Sequence, residues 1–424
     1  MFGDFKIIKK CKTTNARVSE FTLKNNTLHL PIFMPVATYG AMRGVKADSM
    51  KEEIILSNTY HLRNLGRNIK DFMGWKNSML TDSGGFQIQS LPNVQVTDEG
   101  VLFDNKMFTP EDSMDIQMSL GADIMMQLDD VVNPKEERCL HEKAIERSIE
   151  WLDRAIIHIN EVRGNKDLAE EGKSERNSDK SEQDGDKSEE NCDKQCDDDK
   201  PSKKVKTIPR IIPSNGQVLF PIIQGGLLDD LRQKSIDEIL LRKPIGLAIG
   251  GLSGGEDKNE FCSTVLYCCN MLPSGMPRYL MGVGYPEDIV VCCALGTDMS
   301  DCVYPTRTAR FGRGFRDIGD VMIDGKSICD LSPIDETCEC STCLKFSKSY
   351  LHSIKGTPNF CMLMSVHNMH YMRNLTLRIR KSIMEDRFPE FITEYINSRF
   401  KENIPEWIYN ALLKVNVDIK KKAS

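Results

Sequence analysis

Apolar residues along the chain gather in short unbroken runs, and each run stops abruptly at Gly, Asp, Asn, Gln or Pro. The runs cover 31–36, 54–56, 78–81, 124–128, 219–223, 245–249, 278–281 and 301–304. They do not alternate with polar positions, which is the pattern of strands buried on both faces. Amphipathic stretches lie between them at 110–120, 135–163, 229–241 and 256–272. In the second of these, Ile145, Ile149, Leu152, Ile156 and Ile159 fall at helical spacing. Strands alternating with helices predict an α/β fold with a parallel sheet. Eight such units, with the unusual residues at the C-terminal ends of the strands, predict a (β/α)8 TIM barrel whose active site lies on that face. The rival doubly wound sheet has fewer strands and usually one Gly-rich loop, not three.

Composition changes this picture at one place. Residues 164–206 hold 14 acidic and 10 basic residues, no aromatic residue and five apolar ones, Leu168, Ala169, Cys192, Cys196 and Val205. Such a segment cannot bury enough apolar surface to offset its ordering entropy, so it is predicted to be a disordered insert in a surface loop. It carries −4 of the formal net charge of −6. The acidity therefore excludes neither a nucleic acid nor an acidic partner for the remainder. No apolar run approaches the ~18–20 residues of a membrane span. The N-terminal residues carry no apolar core leading to a small-residue cleavage site, so no secretory signal is expected. Fifteen cysteines, an odd number with pairs such as Cys268–Cys269 and Cys292–Cys293 in apolar runs, predict free thiols in a reducing, cytoplasmic compartment.

Cys338, Cys340 and Cys343 can be placed around one tetrahedral ion by a tight turn. A fourth ligand could come from His367, His352, His370 or Cys361. With four protein ligands the site is closed, hence structural. The chain is therefore read as a barrel in two parts, 1–163 and 207–330, interrupted by the insert at 164–206. A zinc-binding subdomain with C-terminal helices follows at 331–424.

Other motifs sit where the predicted strands end. Asp82, Ser83, Gly84, Gly85 and Phe86 follow one run, the glycines allowing close approach of a ligand. Asp301 opens the last run. Two carboxylates converging on one barrel mouth can divide the roles of nucleophile or base and acid. Gly250 and Gly251 begin a loop rich in glycine that no Lys-Ser/Thr follows, so it is not a P-loop and instead clears space for a flat ligand. Asp129 and Gln224 form a donor and acceptor set suited to a purine edge. Thr306, Arg307, Thr308, Ala309 and Arg310 adjoin the Asp301 run, and the two arginines could grip phosphates or base edges. Arg313, Arg316, Lys345, Lys348, Arg373, Arg378, Arg380 and Lys381 add to a positive face.

Taken together and in order, DSGGFQ, QLDD, PIIQGG, GLAIGGLSGGE, YLMGVGYPEDI, DCVYPTRTARFG and CxCxxC…HN make the chain resemble the tRNA-guanine transglycosylases, and most of all their eukaryotic, queuine-inserting catalytic branch. The resemblance runs from about residue 13 to about residue 400. It implies a TIM barrel with a zinc subdomain, and exchange of the wobble guanine of tRNA with a GUN anticodon for a 7-deazaguanine. It implies Asp301 as the nucleophile that forms a covalent ribosyl-enzyme and Asp82 as the acceptor of the incoming base's proton. This is the logic of a retaining glycosidase with a base in place of water.

The resemblance also implies base contacts from Asp82 to Phe86, with Phe86 stacked on the ring, and from Asp129, Gln224, Gly250 and Gly251. It assigns RNA contacts to Gly282, Val283, Gly284, Tyr285, Pro286, Glu287 and Asp288 and to Thr306–Arg310, and Zn2+ ligation to Cys338, Cys340, Cys343 and His367. Bacterial members, which take the smaller preQ1 base, carry Cys and Val where this chain has Val131 and Gly254. The glycine is expected to make room for queuine. A heterodimer with a non-catalytic homologous subunit is expected. The alternative reading, that this chain is itself the non-catalytic RNA-binding subunit, is disfavoured by the presence of Asp82, Asp301 and the TRTAR segment. An archaeosine-type enzyme would need a further C-terminal RNA-binding domain, for which the residues after His367 are too few.

Overall fold

A computed structural model describes residues 2–42, 44–164, 208–213 and 216–419. The insert expected at 164–206, with Cys192 and Cys196, lies outside the described residues except for Gly164. Among the described residues, no helix is long and apolar enough to cross a membrane.

All eight apolar runs form strands, and every pairing between them is parallel. They make two sheets. One has the order Val218–Phe220, Ile124–Met126, Ser78–Thr81, Ile54–Ser57. The other runs Ile222–Ile223, Leu247–Ile249, Arg278–Leu280, Met299–Cys302, Ile32–Pro35. The expected barrel is thus corrected in one respect, because its hydrogen-bond ladder does not close. At one seam Pro221 interrupts a single run of chain, and proline has no N–H to continue a ladder. There the side chain of Gln127 accepts from the Ile222 N–H at 2.9 Å instead. At the other seam an isolated bridge, Val36 with Leu56, and a hydrogen bond from the Ser57 hydroxyl to the Ala37 carbonyl at 3.0 Å join the sheets.

Both sheets share one interior. Met34, Leu56, Leu80, Met126, Phe220, Ile222, Ala248, Tyr279 and Met299 form a single buried cluster drawn from every strand of the two sheets. Phe21, Leu28 and Leu30 join it. These come from an N-terminal antiparallel sheet, Phe5–Lys10, Arg17–Thr22 and Thr27–Leu30. The helices expected between the strands form at Pro110–Leu120, Arg138–Val162, Asp229–Leu241 and Lys258–Met271. The first is bounded by a Thr109/Asp112 capping box, a Pro at its first turn and Gly121 in the left-handed region.

One strand differs from its prediction. The expected run 301–304 is the strand Met299–Cys302, and Tyr304–Ala309 is already helical. Pro305 in the first turn suits that helix. Further on, Pro358–Met384, Phe388–Phe400 and Glu406–Leu413 are helices. Their Tyr371, Leu375, Ile379, Ile396 and Leu412 share a buried cluster with Val290, Val291 and Ala294 of the helix Pro286–Leu295.

Candidate active site

The strands deliver their distinctive residues to the same end of the molecule. Asp82 follows Ser78–Thr81 directly, Gln224 follows Ile222–Ile223, and Gly250 follows Leu247–Ile249. Asp301 is held inside its strand, opposite Met34.

Asp82 is fixed by four donors. Asn58 Nδ2 and Gln87 Nε2 reach Oδ2 at 2.6 and 3.1 Å, and the N–H groups of Thr59 and Gly84 reach Oδ1 at 3.0 and 3.2 Å. The Thr59 hydroxyl also donates to the Asp82 carbonyl. These donors favour the carboxylate, but burial outweighs them and the charge of Asp301 acts with burial. The Asp82 carboxyl is pushed up to about 7.

Asp301 is 9% exposed. The Tyr279 hydroxyl and the Gly282 N–H both donate to its Oδ1, at 2.6 and 2.8 Å. Burial raises this carboxyl too, against both hydrogen bonds. Tyr279 is fully buried, and burial together with the adjacent Asp301 keeps its phenol protonated well above the ordinary range.

Asp129 is the third acid. Gln224 Nε2 donates to its Oδ2, and burial with the charges of Asp130 and Asp82 pushes it up to about 7. Gln89 spans the same loop, donating to the Asp129 carbonyl at 2.8 Å and accepting from the Val131 N–H at 3.0 Å. Three carboxyl groups that feel one another therefore line one mouth, together with polar groups that can meet a heterocycle's edge. Ser83 is buried and turned into the loop, accepting from the Gly85 N–H at 3.2 Å. Phe86 is exposed beside it, with a face available for stacking. A side chain at Gly254 would begin 2.6 Å from Pro134 Cδ. The lack of a side chain at Gly254 lets that proline pack against its backbone.

The segments read as RNA contacts divide by exposure. Gly282, Tyr285, Arg307 and Arg310 are exposed. Val283, Gly284, Pro286, Asp288, Thr306 and Ala309 are buried. Glu287 is ion-paired with Arg399 and Asp288 with Lys258, and the Thr308 hydroxyl donates to the Tyr304 carbonyl. The positive face is smaller than the sequence suggests. Arg313, Lys348, Arg378, Arg380 and Lys381 have carboxylate partners, and Arg316 donates to the Gly319 carbonyl. Arg307 and Arg310 pair with no carboxylate among the described residues.

Cys338, Cys340, Cys343 and His367 converge on one point and could hold a metal ion. The Nδ1 of His367 lies 3.6, 3.6 and 3.3 Å from the three Sγ atoms. Bonds of about 2.3 Å to sulfur and about 2.0 Å to nitrogen around a tetrahedral ion put S and N about 3.5 Å apart, so the four fit zinc. His367 Nε2 lies 2.8 Å from the Phe315 carbonyl, which fixes the tautomer with Nδ1 free to bind. Among the candidate fourth ligands, His352, His370 and Cys361 are not in this group.

Asn58, Gln87, Gln89 and Tyr279 were not singled out from the sequence. Asn58 carried a signal close to the one that found Asp82, a polar residue two positions after an apolar run and directly after the strand it forms. Tyr279 lies within a run and carried none.

Residues 11–401 match the family described as "Queuine tRNA-ribosyltransferase". The chain is 37% identical to the queuine tRNA-ribosyltransferase catalytic subunit of Schizosaccharomyces pombe, over 98% of this chain and 97% of that protein. It is 35% identical to the protein of the same name in Caenorhabditis elegans, over 94% and 95%. It is also 35% identical to the queuine tRNA-ribosyltransferase of Vibrio vulnificus, over 93% and 97%.

Proposed function

The chain belongs to the queuine tRNA-ribosyltransferase family, and from that premise we propose that it exchanges the wobble guanine of tRNAs with GUN anticodons for queuine through a covalent bond to Asp301. The observation that carries this reading is the environment of Asp301, a carboxylate in a buried mouth with two donors on one oxygen. Tyr279 and Gly282 hold Oδ1, which aims the other oxygen at a sugar carbon presented to the mouth. A duplex or stacked nucleotide cannot reach it, so the target nucleotide turns out of its stack.

In the first step a carboxylate oxygen of Asp301 bonds to C1′ as the C1′–N9 bond breaks, and the electron pair leaves with the guanine. Asp82, poised at about 7, gives the base its proton. Asp82 is then a carboxylate and takes the N9 proton of the incoming 7-deazaguanine, whose nitrogen attacks C1′ and releases Asp301. Atoms and charge balance over the two steps, and one residue serves as acid and then as base. Asp129 and Gln224 read the edge of the base, Phe86 covers its face, and Arg307 and Arg310 hold the RNA backbone. The retention of both Asp82 and Asp301 in one mouth favours a catalytic chain over a non-catalytic RNA-binding subunit.

When bound, zinc would join Cys338, Cys340, Cys343 and His367 as a closed structural site with no open position for substrate. The Cys340-capped helix Ser341–Lys345 and the helix carrying His367 are the elements it would tie together. A heterodimer with a homologous non-catalytic subunit and a cytoplasmic location belong to the same reading. The test is mass spectrometry of tRNA after incubation with the purified chain, with and without a candidate partner subunit, offering queuine or preQ1. Queuine at position 34 supports the assignment, and preQ1 use without queuine use would refute the choice of base.

A further inference from the structure

Three segments at the mouth are tied to one side chain that no sequence motif marked. Arg232, in the helix Asp229–Leu241, is 0% exposed. Its Nη1 donates to the carbonyls of Ile223 at 2.9 Å and Gly250 at 2.8 Å, and its Nε donates to that of Gly226 at 2.8 Å. Ile223 and Ile249 are partners on adjacent strands. The guanidinium thus joins the ends of two strands to the turn that carries Gln224.

Arg232 has no hydrogen-bonded carboxylate among the described residues, and its Nη2 is buried without a partner. Burial lowers its pKa, outweighing Glu256 and Asp229, which favour the cation from a distance, so a charge at this position is costly. Holding three carbonyls in place would need only neutral donors, so the charge itself requires an account.

The Gly250 carbonyl belongs to the same peptide unit as the Gly251 N–H. In a trans peptide these groups point in opposite directions, so this N–H faces away from Arg232. It makes no hydrogen bond among the described residues. Gly251 has φ +64°, and a side chain there would begin 2.3 Å from Gln224 Oε1, which holds the peptide directly against the base-reading residue. A charged donor on a carbonyl polarises the peptide and makes its N–H a stronger donor.

We propose that Arg232 is a positioning residue which, by its charged hydrogen bond to the Gly250 carbonyl, strengthens the Gly251 N–H as the donor for negative charge developing on the departing base. As the C1′–N9 bond breaks and its electron pair moves onto the guanine, that charge spreads to O6 and meets this N–H. The inference rests on the base-exchange reading of the same site.

The test uses full-length Arg232→Met and Arg232→Lys proteins, with zinc content and melting temperature as checks on folding. R232M is expected to lower kcat about 10–100-fold, as for loss of part of an oxyanion site. KM for tRNA and for the free base should stay within about twofold. R232K, which keeps the cation, is expected to recover part of kcat. A purely structural strut would instead loosen Gln224 and Asp129 and raise the KM for base. A folded R232M with unchanged kcat, or with its loss confined to KM, overturns the proposal. If R232M does not fold, Arg232→Gln, which removes the charge and keeps a neutral donor, is read by the same criteria, and if neither folds the residue is a fold determinant and the proposal fails. Absence of guanine exchange by the wild-type protein would refute the base-exchange reading itself, which separates the two failures.

Discussion

The Tyr279 hydroxyl donates to Oδ1 of Asp301 at 2.6 Å, from the strand that pairs directly with the strand carrying that carboxylate. Tyr279 is among the interior residues, so its ring is locked by packing and its hydroxyl by the acid. A hydrogen bond to a carboxylate contributes about 1.5–3 kcal/mol. Tyr279→Phe is therefore expected to lower kcat about tenfold with KM for tRNA little changed. This bond also lowers the Asp301 pKa. Its loss raises that pKa, so the acid limb of the pH–rate profile should move to higher pH. An unmoved acid limb would contradict the role given to Tyr279.

Asp82 at about 7 predicts opposite pH dependences for the two half-reactions. Guanine release uses the protonated acid, so its single-turnover rate should fall as pH rises through about 7. Capture of the incoming base uses the carboxylate, so its rate should rise with pH and level off above about 7. Rapid-quench measurement of each step checks this. Parallel profiles would show that Asp82 does not serve both.

Cys340→Ser should reduce bound zinc from one per chain to a small fraction, measured by plasma mass spectrometry. It should lower the melting temperature by about 5–10 °C. Strand and helix content should largely remain, because the barrel interior is a separate cluster from the one containing Cys340 and Cys343. Full metal content in this variant would refute the ligand assignment.

Arg307→Ala and Arg310→Ala should each weaken tRNA binding across sequences. Each should reduce the slope of log affinity against log salt by roughly 0.7–0.9. The KM for free base should not change. By contrast Ala309 is buried against the zinc-site cluster, and its replacement by a larger residue should act through stability. An unchanged salt slope in the double arginine variant would remove these residues from the RNA interface.

The strands were legible because they are buried on both faces, so hydrophobicity alone marks them. The last run was misplaced by two residues because Met299 and Ser300 are buried as part of the strand while Tyr304 already belongs to a helix. The N-terminal sheet leaves a weaker trace, because Phe5–Lys10 alternates between partly buried and exposed positions and forms no unbroken apolar run. The zinc cysteines were legible from local spacing. Residue spacing alone did not decide the fourth ligand, because His367 reaches them only through the packing of a long helix. Asn58 and Arg232 act by tertiary hydrogen bonds, which leave no periodic trace, whereas Gln87 lies in the DSGGFQ motif five residues after the carboxylate it holds. Arg232 did leave one signal, a charge next to Leu231 and three and four residues before the buried Ser235 and Ile236 of its helix.

The central claim is that Asp301 carries the ribose of position 34 between the two steps. Its most direct test is to quench the enzyme with tRNA bearing a GUN anticodon under denaturing conditions, then map the cross-linked peptide by mass spectrometry. The wild-type protein should retain tRNA on a peptide modified at Asp301, and addition of free guanine before the quench should discharge it. Asp301→Asn, with unchanged fold and zinc, should retain none and exchange no base. Base exchange that continues in Asp301→Asn, or an adduct that maps to another residue, would contradict the account.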